Sequence, residues 1–195
     1  LIFNNAGVAL SADVHVMSYE NFRWLMDINF WGVVHGTLAF LPHLKASGDG
    51  HVVNISSVFG LLGIPSQSAY NSAKFAVRGF TDALRTELDI EQCGVSATTI
   101  HPGGIRTNIA RNARFEFAEH EEAVDAEQAA VDFERITRTT PEKAARLILG
   151  AVRKNKRRAL IGPDAHLIDS APRISPRATQ WALGKFIARS SGALV

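Results

Sequence analysis

Four short β-rich runs, separated by stretches with helical spacing, constrain this chain more than any other feature. The runs are 1–3, 51–57, 95–101 and 158–162. The run from His51 to Ser57 lacks clean alternation, which is the pattern of a strand covered on both faces. Between the first two runs, Phe22, Leu25, Met26, Phe30, Val33, Val34 and Leu38 recur at helical spacing behind a Ser18 N-cap, and predict a long helix over 18–46. Gly32 and Gly36 interrupt it at a cost of about 1 kcal/mol each against alanine, so close packing or a local distortion is expected there. A second helix over 67–92 carries Ala73, Val77, Phe80, Leu84 and Leu88 down one side, with Gly94 as its stop. A third opens on Pro141 and Glu142 and runs to Lys154. Connections of this length permit crossovers, so the order predicts one α/β unit, a parallel sheet with helices on both faces. Residues 107–140 read as a polar, acidic lid or substrate loop, in which Phe115, Phe117 and Phe133 hint at an apolar or bulky ligand. The tail, 163–195, is punctuated by Pro163, Pro172 and Pro176 and ends in a helix over 179–189.

Composition narrows the class. With 195 residues, 46% hydrophobic and 21% charged, the chain has the make-up of one soluble globular domain. A single cysteine, Cys93, excludes internal disulfides and multi-cysteine metal sites, and the seven histidines show no metal-ligand spacing, so no metal is expected. The net charge of +2 hides an asymmetry: residues 1–140 hold ten Lys/Arg against 16 Asp/Glu, and residues 141–195 eleven against three. The cluster from Arg153 to Arg158 has no interleaved aromatics, so it reads as a solvated helix end rather than a nucleic-acid surface. The most apolar helical stretch, 30–41, is shorter than the roughly 20 residues of a membrane span, and because the sequence opens without a basic n-region no signal peptide is expected. Together with the cysteine usage this points to the cytoplasm. Leu1 to Gly7 reads as the end of a buried strand entering a loop, so the chain is expected to open in mid-fold.

In sheets of this kind, ligands bind outside the carboxyl ends of the strands. Asn4-Asn5-Ala6-Gly7, Ser57 and Pro102-Gly103 all fall at such ends. The helix over 67–92 starts at the same edge, with Tyr70 and Lys74 four apart on one face. A phenol ionises near pH 10, too high for base chemistry at neutral pH, but a neighbouring ammonium favours the phenolate. Ser57 is placed to hold a substrate oxygen beside it. His101 reads as a satisfied strand-end histidine.

Taken in order, these residues resemble the short-chain dehydrogenase/reductase family over nearly all of 1–162. The matching elements are Asn4-Asn5-Ala6-Gly7, Asn29 in Asp27-Ile28-Asn29-Phe30-Trp31-Gly32, Ser57, Tyr70-Asn71-Ser72-Ala73-Lys74, and Pro102-Gly103 followed by Thr107. The resemblance implies a Rossmann-like, doubly wound, three-layer α/β/α fold and hydride transfer between NAD or NADP and a small alcohol or carbonyl. It implies that Tyr70 is the general acid or base, that Lys74 lowers its pKa, that Ser57 positions the substrate oxygen, and that Asn29 supports a proton relay. It places Asn5, Ala6, Gly7, Tyr70, Lys74, Pro102, Gly103, Ile105 and Thr107 against the cofactor, and suggests a homodimer or homotetramer. The family's Thr-Gly-x-x-x-Gly-x-Gly turn does not occur in this sequence. The chain is therefore expected to be the C-terminal two-thirds of a dinucleotide-binding domain, a single unit over 1–195, and the choice between NAD and NADP is not written in it. The alternative is a non-catalytic binding or scaffold protein of the same fold. A serine hydrolase built on Ser57 is disfavoured, because no Gly-x-Ser-x-Gly elbow surrounds it.

Overall fold

All four apolar runs become strands of one sheet. The computed structural model describes residues 1–117, 131, 135 and 137–191. In it β1 (Ile2–Asn4), β3 (Gly50–Ile55), β4 (Val95–Pro102) and β6 (Arg158–Ile161) lie in the order β1-β3-β4-β6, each pair parallel. Val52 and Val53 show why β3 lacks alternation. Val52 packs with Leu44, Leu84, Leu88 and Ala97, and Val53 packs with Ile100, Ala144, Ala151 and Ile161. Consecutive strand residues point to opposite faces, so each feeds a separate core layer, and a slip of one residue would exchange the layers. Both valines are fully buried, which is worth about 1.5–3 kcal/mol per side chain against exposure.

The first helical stretch is not one regular helix. Ser18 caps it as expected, its hydroxyl accepting the Asn21 N–H at 3.2 Å. The helix runs as α1 (Tyr19–Met26), widens into a π-helical turn (Asp27–Trp31), and continues as α2 (Gly32–Ser47). Both readings of the glycines hold. Gly32 closes the wide turn with its N–H on the Asp27 carbonyl. Gly36 lies so close to β1 that a Cβ would stand 2.2 Å from Asn4 Oδ1. The two later helices, α3 (Ser68–Glu91) and α4 (Pro141–Arg153), follow the predicted spans, and Thr140 adds an N-cap to α4 by accepting the Lys143 N–H at 3.3 Å. Helices α2 and α3 cover one face of the sheet and α4 the other. Past α4, the cationic cluster is partly paired: Arg157 bonds Asp89, and Arg158 reaches Asp169 at 2.8 Å.

Three expectations are corrected. Strand β3 ends at Ile55, and Ser57 instead opens a short 3₁₀ turn over Val58–Gly60, its hydroxyl accepting the Phe59 N–H at 3.1 Å. The stretch after Gly7 and the start of the 107–140 segment are not all loop: β2 (Leu10–Ala12) and β5 (Arg114–Glu116) pair in parallel as a second, small sheet. That sheet is latched to α1, because the Glu116 carboxylate accepts from Ser18 N–H at 2.7 Å and Asn21 Nδ2 at 2.6 Å, and the Arg114 guanidinium sits 3.7 Å from the centre of the Trp24 ring. Phe115 and Phe117 stack on each other, and Phe133 lies outside the described residues. The tail is helical earlier than its prolines suggest, as α5 (Pro163–Ile174) and α6 (Pro176–Ser191). Pro163 and Pro176 open their helices, where the missing N–H costs nothing.

Candidate active site

The carboxyl ends of β1, β3 and β4 bring the predicted residues to one edge of the sheet. A buried polar stripe sets the spacing there. Asn4 Nδ2 donates to Asn54 Oδ1 at 2.7 Å and to Thr37 Oγ1 at 3.1 Å, and Asn54 Nδ2 donates to Thr81 Oγ1 at 2.9 Å. Asn4 and Asn54 are register partners on β1 and β3, so the stripe ties both strands to α2 and α3. Asn4 is thus committed to the fold, while Asn5, Ala6 and Gly7 lie exposed beyond it.

Asn29 faces this loop from the π-helical turn and is fully buried. Its Oδ1 accepts the Val8 N–H and its Nδ2 donates to the Val8 carbonyl, both at 2.8 Å. A π-turn rotates one residue out of the ordinary helical register, and the rotated asparagine clamps the backbone just after Gly7. Gly7 itself comes close to both side chains: a Cβ there would stand 3.3 Å from Asn29 Oδ1 and 3.6 Å from Lys74 Nζ.

On α3, Lys74 is 4% exposed, and its ammonium donates to the Ile55 carbonyl at 3.0 Å. Burial pushes its pKa down to about 8. The half-buried Tyr70 ring lies 5.5 Å from that ammonium, measured to its centroid, and meets Phe59 edge-on at 5.9 Å. A hydrogen bond with Ser57 favours the phenolate, yet burial outweighs it and pushes Tyr70 up to about 12. This corrects the spacing argument, in which Lys74 lowers the phenol. Charge proximity and desolvation act in opposite directions on a phenol, and in this packing desolvation wins.

Several supports were not legible in the motif. Asn71, one of the unspecified positions between Tyr70 and Lys74, holds the 59–64 loop: its Nδ2 donates to Phe59 O at 2.7 Å and Leu62 O at 2.9 Å, and its Oδ1 accepts the Ile64 N–H at 3.0 Å. Ser56 Oγ donates to the Lys74 carbonyl at 2.8 Å. Gly60 permits that approach, since a Cβ would fall 2.7 Å from the same carbonyl oxygen. The signal available beforehand was only the density of Asn, Ser and Gly around the loop. His101 is fully buried, and its Nδ1 bonds the Ser57 carbonyl at 2.9 Å, so its ring spans from β4 to the turn that carries Ser57. Pro102, Gly103 and Ile105 line the end of β4, with Ile105 bridged to Thr139, while Thr107 is exposed in a turn.

This combination of a parallel sheet covered by helices on both faces and loops converging at strand carboxyl ends defines a class. The family model for short chain dehydrogenase matches residues 1–116, and the chain belongs to that family. It is an oxidoreductase of the family. Among its relatives is SadH of Mycobacterium tuberculosis, an oxidoreductase by name, 44% identical over 189 residues that make up 96% of this chain and 67% of SadH. Similar solved structures include a short-chain dehydrogenase from Streptomyces avermitilis (28% identical, TM-score 0.74, covering 97% of this chain and 70% of that one). Another is a short chain dehydrogenase/reductase from Burkholderia phymatum in complex with NAD (26% identical, TM-score 0.77, covering 91% and 66%). The chain thus spans about two-thirds of the length of these proteins.

Proposed function

We propose that the protein moves a hydride between NAD(H) or NADP(H) and a small alcohol or carbonyl compound, with Ser57, Tyr70, Lys74 and Asn29 as its working set. The observation that carries this reading is the Tyr70 ring beside the buried Lys74 ammonium, 5.5 Å from its centroid, and edge-on to Phe59 of the turn that Ser57 opens, with the Ser57 side chain favouring the phenolate. The relative from Burkholderia phymatum, solved in complex with NAD, supports a dinucleotide as the partner of this chain.

The residues present suit such a group. Exposed Gly7 lies close to a lysine ammonium and an amide oxygen, and the Ile55 carbonyl takes one of the three ammonium protons. Lys74, Tyr70, Asn5, Ala6, Gly7, Pro102, Gly103, Ile105 and Thr107 would hold the nicotinamide end of such a group. When bound, the nicotinamide supplies or accepts the hydride. The protein orients the substrate oxygen and handles one proton. In reduction Ser57 Oγ donates a hydrogen bond to the carbonyl oxygen, and Tyr70 Oη gives that oxygen its proton. In oxidation Tyr70 Oη receives it. With its pKa pushed up to about 12, the phenol is protonated at neutral pH, which favours the acid role. Oxidation, needing the phenolate, should accelerate as pH rises from 7 to 10. Trp31 in the π-helical turn, Leu38 on α2 and Phe75 on α3 remain exposed and support a homo-oligomer.

Purified protein with NADH or NADPH and a panel of small aldehydes and ketones should consume the dinucleotide, followed by loss of absorbance. Tyr70→Phe should lower turnover at least about a hundredfold, the scale of a positioned general acid. Unchanged turnover in that variant removes Tyr70 from the mechanism, and absence of any dinucleotide binding by wild type leaves the scaffold reading in its place.

A further inference from the structure

Asp164 belongs to the first turn of α5, beyond the 1–116 stretch matched to the family, yet its carboxylate is built into the loop after β4. Its Oδ2 accepts the Gly104 N–H at 2.7 Å. The two glycines on either side of it are shaped to its outline. A Cβ on Gly103 would stand 2.1 Å from Asp164 Oδ2 and 2.4 Å from its Cγ, and a Cβ on Gly162 would stand 2.6 Å from Oδ1. Gly162 also has φ +103°, a conformation that other L-residues rarely adopt. The opposite flank of the loop is tied by main chain: Thr139 accepts the Arg106 N–H at 3.0 Å and donates its own N–H to the Gly104 carbonyl at 3.4 Å. Residues 103–106 are therefore held from both sides, by a strand-like bridge to Thr139 and by one carboxylate.

An acidic residue in the first turn of a helix has an ordinary explanation, since it complements the helix dipole. That explanation does not account for three glycines gathered around the carboxylate, nor for the bond to a residue 60 positions away. We propose that Asp164 is a positioning residue for the dinucleotide: it fixes the backbone of Pro102-Gly103-Gly104-Ile105 in the shape that receives the nicotinamide end. The inference rests on the functional reading above. It also gives α5 a part in the site, because that helix carries the carboxylate to the loop. The side chain touches backbone only, so it acts through the loop and not on the reacting atoms.

The test uses the full chain and two measurements. Dissociation constants for NADH and NADPH are taken from the fluorescence of the bound dinucleotide, and exchange of the Gly104 amide hydrogen is followed without dinucleotide. Asp164→Ala should speed Gly104 exchange and raise the dinucleotide dissociation constant about tenfold, the scale of a lost hydrogen bond to a charged acceptor. Asp164→Asn, which keeps an acceptor oxygen, should stay within about threefold of wild type, the difference between a charged and a neutral acceptor. Gly103→Ala should reproduce the loss by displacing the carboxylate. The double variant Gly103→Ala/Asp164→Ala should bind no more weakly than Asp164→Ala alone, the non-additivity of two groups acting through one contact. A purely structural role lowers the melting temperature of Asp164→Ala and leaves its dissociation constant at the wild-type value, and that result overturns the proposal. Additive losses in the double variant overturn it too. If wild type binds neither dinucleotide, the functional reading falls and this inference falls with it, an outcome separable from the others because it is seen before any substitution is made.

Discussion

His101 shows how one side chain joins stability to the site. Its Nδ1 hydrogen goes to the Ser57 carbonyl, which leaves Nε2 as an acceptor, buried and with no partner among the described residues. Burial pushes its pKa down to about 4. The unfolded chain, with a histidine near its ordinary value of about 6.5, binds the proton more readily than the folded one. The stabilisation is then complete above about pH 6.5 and is lost as pH falls towards 4, by about 3 kcal/mol in all. The melting temperature should accordingly drop on acidification from pH 7 to 4. His101→Gln, which can still donate to the Ser57 carbonyl, should show a shallower drop. An equal drop in both would assign the acid sensitivity to other groups. Position in the sequence identified a strand-end histidine; only packing showed that one nitrogen is satisfied and the other is not.

Among the elements, the interrupted first helix is the most consequential. Its apolar periodicity and N-cap were readable, and the two interior glycines signalled a distortion without saying which kind. The π-helical turn turns Asn29 into a double clamp on Val8. Asn29→Ala would leave the partly buried Val8 N–H and carbonyl without these partners, at about 1–3 kcal/mol for each such group where water does not take its place. A loss of about 3 kcal/mol in urea unfolding is expected, together with weakened dinucleotide binding if the Gly7 loop shifts. A loss below about 1 kcal/mol would mean that water replaces both bonds. Helix α5 shows the opposite case. Three prolines suggested an irregular tail, but two of them open helices, and the third, Pro172, falls close to the end of its own. Proline is read correctly only when the helix boundaries are already known.

At the scale of the whole molecule, β1 is an edge of the described sheet, paired by β3 alone. Leu1 and Phe3 are 61% and 41% exposed along it. Leu38 on α2 and Phe75 on α3 are 60% and 41% exposed. Sedimentation velocity should show concentration-dependent self-association, and Leu38→Lys should shift the distribution towards monomer. No such shift would place the contact elsewhere. Among the described residues, no helix is long and apolar enough to cross a membrane.

Local chemistry settled a good deal before any coordinates. The alternation of apolar runs with amphipathic helical stretches determined a parallel α/β sheet, because only crossovers connect such strands, and it determined that Ser57, Tyr70, Lys74 and the residues after β1 and β4 meet at one edge. These follow from period and connection length, which are properties of neighbouring residues. The tertiary structure decided the rest: the small β2/β5 sheet, the clamp made by Asn29, the supports from Asn71 and Asp164, and the direction of the Tyr70 shift. Each depends on contacts between residues distant in the chain, or on how much water the packing removes. Tyr70 and Lys74 stand one helical turn apart in any helix. Whether the ammonium or the burial governs the phenol is a property of everything packed around the pair.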